Sequence, residues 1–220
     1  MQKINTILFD LDGTLVDSNQ LLIDSFEKTF KYFFPKSKYT KQDYINMIGP
    51  TLEETFSILE KNKNNVREMI NYFRHFYLKN EYQYIKIYPN LINTLKKLKK
   101  LDFQLGIVTT KFKESALPSI KHFNLDKYMD VYVFLDDVKK PKPSAEPIIY
   151  AKNRLVNPKE IIIVGDNPSD ILAGKNANIL TCGVEWSLKK DILKTTNPDF
   201  WISDFNELIP IIKKFNKEVL

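Results

Sequence analysis

The sequence predicts an α/β protein whose doubly wound parallel sheet carries an inserted α-helical domain. Short apolar runs without polar alternation recur along the chain, as in parallel strands covered on both faces. Helical patterns lie between these runs, which is the order that strand–helix–strand crossovers require. One long stretch after the first run shows helical spacing alone. Together these observations predict a Rossmann-like core with a helical insertion.

The predicted core elements follow one another in regular order. The first strand is Ile4–Phe9, which ends directly before an acidic pair separated by one leucine. The other predicted strands are residues 105–108, 131–134, 161–164 and 179–184. The predicted helices between them are Leu91–Lys100, 113–123, 146–155 and Pro168–Asn176.

The predicted insertion separates the first strand from the rest of the core. Leu22, Phe26 and Phe30 recur at helical spacing, and similar aromatic stripes follow further along. Pro35 and the Gly49-Pro50 pair interrupt these helices. We therefore expect residues 1–16 and 86–220 to form the α/β core and residues 17–85 to form the helical domain.

Composition excludes several classes of protein. A chain of 220 residues buries enough surface to fold without disulfides, and its single cysteine, Cys182, cannot form one internally. No apolar run approaches the roughly 20 residues of a membrane helix, and acidic residues come too early for a signal peptide. The net charge of +6 comes from lysines spread along the chain rather than from a basic patch. We expect a cytoplasmic protein that binds neither nucleic acid nor membrane.

Polar residues follow three of the predicted strands, where parallel sheets bind their ligands, and a fourth polar set precedes the predicted helix at residue 146. These sets are residues 10–14, 109–111, 139–143 and 165–170, and we expect them to meet at one edge of the sheet. Carboxylates gathered in this way repel one another unless a hard cation lies among them, and all-oxygen ligands favour Mg²⁺. A carboxylate can also attack phosphorus as a nucleophile. Gly13 permits a tight turn, which we expect to turn backbone N–H groups toward an anion.

Residues 10–18 (DLDGTLVDS) resemble the first motif of the haloacid dehalogenase superfamily. Thr109, Lys142 and the pair Asp166 and Asp170 are similar to its second, third and fourth motifs, in the same order. The helical insertion resembles the cap domain that superfamily members carry in their first insertion position. The resemblance covers nearly the whole chain.

The resemblance implies a role for each of these residues. Asp10 is the nucleophile that becomes phosphorylated, and Asp12 is the general acid and base. Thr109 binds the transferring phosphoryl group, and Lys142 holds both that group and the nucleophile. Mg²⁺ is expected to be bound by Asp10, Asp166 and the backbone carbonyl of Asp12, while Asp170 orients a metal-bound water or a neighbouring loop.

Two lysines compete for the third motif. Lys140 and Lys142 each precede a proline, so either one can begin the Lys-Pro pattern. Lys142 is preferred because relatives carry a proline five residues after the lysine, and Pro147 stands there.

Asp12 indicates the reaction class, and the helical insertion indicates the substrate. Dehalogenases of the superfamily lack an acid at the position of Asp12, so its presence favours phosphoryl transfer to water. Residues 47–56 (MIGPTLEETF) are similar to the cap loop of phosphoglycolate phosphatases and related pyrophosphatases, which makes Gly49, Pro50 and Thr51 candidate specificity residues. Thr51 is also a plausible helix N-cap.

The expected substrate is therefore a small phosphorylated metabolite, 2-phosphoglycolate first. Pyrophosphate, sugar phosphates, nucleotides and a β-phosphoglucomutase-type reaction remain alternatives. A monomer and a homodimer are both compatible with the sequence. The resemblance also implies that the cap opens and closes over the site, with hinges near residues 16–19 and 84–88.

Overall fold

The computed structural model describes residues 3–218, which divide into two compact units. The larger unit contains the chain up to Val16 and from Ile87 onward, and the smaller unit is Asp17–Lys86. Within the described residues, no helix is both long enough and apolar enough to cross a membrane.

The larger unit is built on a sheet that has six parallel strands within residues 3–218. The strands of the molecule in chain order are β1 (Ile4–Phe9), β2 (Val16–Asp17), β3 (Lys86–Ile87), β4 (Gln104–Val108), β5 (Val131–Val133), β6 (Glu160–Gly165), β7 (Leu180–Val184) and β8 (Phe200–Ile202). The spatial order of the large sheet is β5-β4-β1-β6-β7-β8, and β2 pairs with β3 separately.

Helices connect these strands. They are α1 (Asn19–Phe33), α2 (Lys41–Met47), α3 (Leu52–Leu59), α4 (Lys63–Tyr84), α5 (Leu91–Lys100), α6 (Lys113–His122), α7 (Glu146–Lys152), α8 (Pro168–Asn176), α9 (Lys190–Thr195) and α10 (Leu208–Glu218). The first four belong to the smaller unit and the rest to the larger one. This confirms the predicted doubly wound α/β class.

Strand β1 lies at the point where the sheet order reverses. Its last residue, Phe9, is level with Ile107 of β4 on one side and with Val164 of β6 on the other. The carboxyl ends of the three central strands therefore lie side by side, and this is where doubly wound sheets bind ligands. The strands are apolar because both faces are covered, and Leu8 and Ile163 are fully buried in the core.

The sequence prediction gave the bounds of β1, α5 and α8 as the structure has them. Two predicted helices are shorter: residues 113–123 end at His122, and residues 146–155 end at Lys152. The prediction omitted the two-residue strands β2 and β3, and also β8, α9 and α10. Strand β8 is only three residues long and pairs at the sheet edge, so its apolar run is too short to stand out.

Two asparagines occupy turns that require the left-handed backbone conformation. Asn90 has a φ of 61° and Asn178 a φ of 53°. The sequence analysis expected both to keep such turns, since asparagine tolerates this conformation better than most residues. That expectation is confirmed.

The smaller unit has an aromatic core of its own. Phe26 of α1 packs on Phe73 of α4 with ring centroids 4.7 Å apart, and Phe56 of α3 adjoins both. Thr51 caps α3: its hydroxyl accepts from the N–H of Glu54, whose carboxylate accepts from the Thr51 N–H in return. The expectation that Thr51 is a helix cap is confirmed.

Candidate active site

Asp10 follows directly after β1, at the reversal point of the sheet. Its N–H continues the strand pairing by donating to the carbonyl of Val164 at 3.0 Å, so its position is set by the central sheet. The residue is only 7% exposed. A buried carboxylate at this edge requires a positively charged partner.

Lys142 supplies that partner. Its Nζ lies 2.5 Å from Oδ1 of Asp10 and 2.6 Å from Oδ1 of Asp170, and it donates to the carbonyl of Val108 at 2.8 Å. Burial alone would lower the pKa of Lys142, but the charges of Asp10 and Asp170 outweigh burial and raise it. The lysine therefore stays charged in the folded protein.

The structure distinguishes the two candidate lysines of the third motif. Lys142 is buried between carboxylates, whereas Lys140 is exposed and its backbone N–H donates to Glu146. The preference for Lys142 over Lys140 agrees with this placement.

Asp166, which follows β6, lies beside Asp10. Its Oδ1 accepts a hydrogen bond of 3.0 Å from the hydroxyl of Thr14. Burial and the nearby negative charges of Asp10 and Asp170 raise the pKa of Asp166 well above its ordinary value. The same effects raise the pKa of Asp10 to about 7, burial being the largest cause and the charge of Lys142 acting against it.

Asp170 connects the site to α8. Its Oδ2 accepts from the N–H of Asn167 at 2.9 Å, which forms a capping box at the start of the helix. Its Oδ1 holds Lys142. The expected role in orienting a metal-bound water or a loop stays a prediction; the contacts that the structure shows are with the lysine and the helix terminus.

The residues Asp10, Lys142, Asp166 and Asp170 form what we call the carboxylate–lysine cluster. Oxygen atoms of its three carboxylates all lie within 4.8 Å of one another. Burial, as the largest cause, and the charges of neighbouring carboxylates raise the pKa values of Asp10 and Asp166, and the charge of Lys142 acts against both. An all-oxygen donor set of this kind fits Mg²⁺, which binds through a small number of carboxylates.

Asp12 and Thr109 stand beside the cluster. The carboxylate of Asp12 is half-buried and lies 3.5 Å from Nζ of Lys111, and it is not one of the three clustered carboxylates. This is compatible with an acid–base role for the side chain and with metal binding through its backbone carbonyl alone. Thr109 is buried, and its hydroxyl accepts from the N–H of Lys111 at 3.2 Å.

Gly13 makes the tight turn after β1, and its own N–H donates to the carbonyl of Val16 at 2.7 Å. That this turn directs other backbone N–H groups toward an anion stays a prediction. The glycine is needed at this position for two reasons. It adopts a φ of 80°, and a Cβ there would fall 2.3 Å from Oδ2 of Asp166.

Several residues near the site were not assigned by sequence reasoning. Lys111 pairs with Asp12, and Thr14 holds Asp166. Nε1 of Trp186 donates to the carbonyl of Gly13 at 3.0 Å. Ser187 donates to the carbonyl of Asp166 at 2.5 Å. Lys111 and Thr14 lie within the polar segments that follow β4 and β1, so the sequence offers a local signal for them. Trp186 and Ser187 follow β7, and only the order of strands in the sheet brings them close to the site.

The candidate specificity residues of the cap loop lie in the smaller unit. Gly49 has a φ of 115°, and Pro50 and Thr51 lead into α3. Their role in substrate choice stays a prediction.

The fold and the site together define a hydrolase with a Rossmann-like core, in which an aspartate, a lysine and further carboxylates lie at the reversal point of a parallel sheet. The model of the haloacid dehalogenase-like hydrolase family matches residues 7–184, and the chain belongs to this family. The resemblance stated from the motifs is thereby confirmed.

Individual relatives agree with the family. A pyrophosphatase PpaX from Bacillus anthracis is 39% identical over 98% of this chain and 99% of its own. Among solved structures, a haloacid dehalogenase-like hydrolase from Bacteroides fragilis has 28% identity and a TM-score of 0.80, covering 94% of this chain and all of its own. A predicted phosphoglycolate phosphatase from Haemophilus somnus has 25% identity and a TM-score of 0.84, covering 96% and 99%.

Proposed function

We propose that this protein is a magnesium-dependent phosphohydrolase that acts through an aspartyl-phosphate intermediate, with inorganic pyrophosphate as its substrate. The observation that supports the chemistry is the buried Asp10 carboxylate held by Lys142 beside two further carboxylates, next to the half-buried Asp12. A nucleophile, a fixed cation, a metal-binding donor set and a second acid are the groups that this reaction needs.

The proposed reaction has two steps, and the same residues act in both. In the first, a carboxylate oxygen of Asp10 attacks phosphorus while Asp12 gives a proton to the departing oxygen. In the second, Asp12 takes a proton from water, the water oxygen attacks the phosphorus of the aspartyl phosphate, and Asp10 is released as carboxylate. Lys142 orients Asp10 and favours its ionised form before the attack and after its release, and Thr109 would bind a phosphoryl oxygen.

Asp10, Asp166 and the backbone carbonyl of Asp12 would hold the magnesium ion. When bound, the ion neutralises charge on the phosphoryl oxygens, so that one anion can approach another. The hydroxyl of Thr14 and the space beside Gly13 hold the carboxylate of Asp166 in position.

The relatives favour pyrophosphate over the substrate that the cap loop suggested first. The sequence analysis placed 2-phosphoglycolate first and pyrophosphate among the alternatives. The pyrophosphatase PpaX relative matches at 39% identity over nearly the whole chain. The predicted phosphoglycolate phosphatase is less similar, at 25% identity. We retain 2-phosphoglycolate as the second candidate because that structure superposes closely, with a TM-score of 0.84.

Phosphate release from a panel of substrates tests the proposal. The panel contains pyrophosphate, 2-phosphoglycolate, a glucose phosphate, a nucleoside monophosphate and an aryl phosphate, each assayed with Mg²⁺ and with EDTA. We expect pyrophosphate to give the highest kcat/KM and EDTA to abolish turnover. A clear preference for 2-phosphoglycolate would select the second candidate, and isomerisation of a glucose phosphate without phosphate release would indicate a mutase.

A further inference from the structure

Two consecutive residues, Trp186 and Ser187, join the two segments of the chain that carry the proposed metal ligands. Nε1 of Trp186 donates to the carbonyl of Gly13 at 3.0 Å, in the turn after β1. The hydroxyl of Ser187 donates to the carbonyl of Asp166 at 2.5 Å, directly after β6. We call this pair the 186–187 bridge. Because its members are neighbours in the chain, a short length of backbone ties the Gly13 carbonyl to the Asp166 carbonyl.

The hydroxyl of Ser187 is held in one direction. It accepts a hydrogen bond of 2.9 Å from the backbone N–H of Lys189 while it donates to Asp166. Ser187 and Asp166 are both buried, so water does not readily replace a donor that is lost here. We therefore expect the backbone of Asp166 to depend on this hydroxyl for its position.

The ring of Trp186 is held by other aromatic side chains. It packs against Tyr88, with ring centroids 4.9 Å apart, and against Phe205, with centroids 5.2 Å apart. Phe205 also adjoins Phe9, the residue before Asp10, with centroids 6.4 Å apart. The indole N–H of a packed tryptophan usually has a hydrogen-bond partner, and here that partner lies in the turn after β1.

The 186–187 bridge begins directly at the end of a strand. The N–H of Glu185 donates to the carbonyl of Ile202 in β8 at 2.9 Å, and the N–H of Ser187 donates to the carbonyl of Val184 in β7 at 3.3 Å. Groups that are held by regular elements keep their positions more precisely than groups on long loops. The sheet therefore supports the bridge from β7 and β8.

The groups that the bridge joins lie next to the proposed metal ligands. The carbonyl of Gly13 is one residue beyond the carbonyl of Asp12, and the carbonyl of Asp166 belongs to a residue whose side chain would bind the ion. Thr14 already connects the same two segments through the Asp166 carboxylate. The bridge acts on the backbone of both segments instead. Because Mg²⁺ demands near-ideal octahedral geometry, the separation of these segments affects how well it binds.

We propose that Trp186 and Ser187 are positioning residues of the metal site, and that the 186–187 bridge sets the separation between the turn after β1 and Asp166. This inference rests on the proposed function, from which it takes the metal ligands. Neither side chain is itself a ligand, since each acts through the backbone of a segment that carries one. Residues that orient metal ligands in this way commonly change the metal affinity by about 10- to 100-fold.

Calorimetric titration with Mg²⁺ alone, in the absence of substrate, tests the proposal. Ser187→Ala and Trp186→Phe each remove one hydrogen-bond donor, and phenylalanine keeps an aromatic ring in the stack. We expect each variant to raise the Kd for Mg²⁺ about tenfold. Ser187→Thr keeps the hydroxyl and should bind Mg²⁺ within about threefold of the wild type.

Matched controls carry the same chemical changes away from the site. Ser119 is also buried, and its hydroxyl donates to the carbonyl of Ala116 within α6 at 3.0 Å. Trp201 lies in the edge strand β8. Ser119→Ala and Trp201→Phe should both bind Mg²⁺ within about twofold of the wild type. Thermal unfolding without Mg²⁺ shows that each variant is folded.

A double variant distinguishes one bridge from two separate attachments. A bridge needs both of its ends, so the variant that combines Trp186→Phe with Ser187→Ala should bind Mg²⁺ within about twofold of the weaker single variant. The product of the two single effects, about 100-fold, would overturn the bridge. Mg²⁺ affinity within about twofold of the wild type in both single variants would overturn the proposal as well. A lowered Tm in those variants would then mean that the two residues act on stability alone.

Substrate assays separate this proposal from the proposed function. Raising the Mg²⁺ concentration should bring the kcat of both single variants on the preferred substrate to within about threefold of the wild type, since the bridge acts on cation binding. If the wild type does not hydrolyse pyrophosphate, the proposed substrate is wrong, and the Mg²⁺ affinities still decide the role of the bridge. If Asp166→Asn binds Mg²⁺ as the wild type does, the bridge does not position a metal ligand, even in an active pyrophosphatase.

Discussion

A Cβ atom at position 13 would lie 2.3 Å from Oδ2 of Asp166 and 2.7 Å from its Cγ. Real Cβ atoms do not approach other atoms so closely, so no side chain fits here unless Asp166 moves. Because Thr14, the next residue, donates to Oδ1 of Asp166, the turn after β1 confines this carboxylate from two sides. The glycine thus determines the space available to the Asp166 carboxylate, although the two residues follow different strands.

We expect Gly13→Ala to lower the affinity for Mg²⁺ and the rate of phosphate release at least about tenfold, since the added methyl group displaces a metal ligand. The measurement is the stabilisation that Mg²⁺ gives in thermal unfolding, followed by turnover. Gly49→Ala is the control, because position 49 also has a positive φ and shares the backbone strain. Retention of the full Mg²⁺ effect in Gly13→Ala would show that Asp166 does not need this space.

Lys142 forms two buried ion pairs, so we expect its loss to lower the free energy of unfolding strongly. Lys142→Met leaves Asp10 and Asp170 without their positive partner, and breaking a buried pair in this way costs about 3–5 kcal/mol of unfolding free energy. Lys140→Met is the matched control, since Lys140 is exposed two residues earlier and makes its contact with Glu146 through the backbone. Chemical denaturation of the two variants should differ by this amount. Equal stabilities would contradict the assignment of Lys142.

Local patterns were enough to predict most of the sheet and the central part of the site. Strands β1, β4 and β6 are apolar runs with a polar set directly behind them, so Asp10 and Asp166 are visible in sequence as strand-end acids. Their proximity follows from parallel topology alone. Thr109 and Lys142 were singled out instead by the resemblance to the superfamily's motifs, in which a proline at the position of Pro147 favours Lys142.

What could not be predicted depends on contacts between segments far apart in the chain. Trp186 reaches the carbonyl of Gly13 across 173 positions, and Ser187 reaches Asp166 across 21. Neither residue carries a local signal for such a contact, because a tryptophan near the end of a strand is more often a core residue.

Asp10→Asn should abolish turnover while leaving the fold intact. The amide is nearly isosteric with the carboxylate but cannot form an acyl phosphate, so kcat should fall by at least about 1,000-fold. Lys142 keeps its ion pair with Asp170, which limits the structural damage. Circular dichroism serves as the check on folding, and phosphate release as the measure of activity. Turnover within about tenfold of the wild type would rule out Asp10 as the nucleophile.

Cys182 should be chemically inert in the folded protein. It is fully buried in β7, and burial raises the pKa of its thiol, so the reactive thiolate is not formed near neutral pH. A thiol reagent such as dithionitrobenzoate should label less than a tenth of the protein within about an hour natively, and one thiol per chain in denaturant. Rapid native labelling would show that β7 opens.

Magnesium should stabilise the folded protein even when no substrate is present. Three carboxylates within 4.8 Å of one another repel in the metal-free protein, and a cation that binds the native state alone adds about 2.7 kcal/mol at a hundred times its Kd. For a chain of this length that corresponds to a rise in Tm on the order of 5–10 °C.

Asp166→Asn should remove most of the rise, because it takes away a ligand that the turn of Gly13 and Thr14 holds in place. Asp199→Asn is a suitable control: Asp199 accepts from Thr181 away from the cluster. An undiminished Mg²⁺ effect in Asp166→Asn would place the ion elsewhere and would remove the metal from the proposed site.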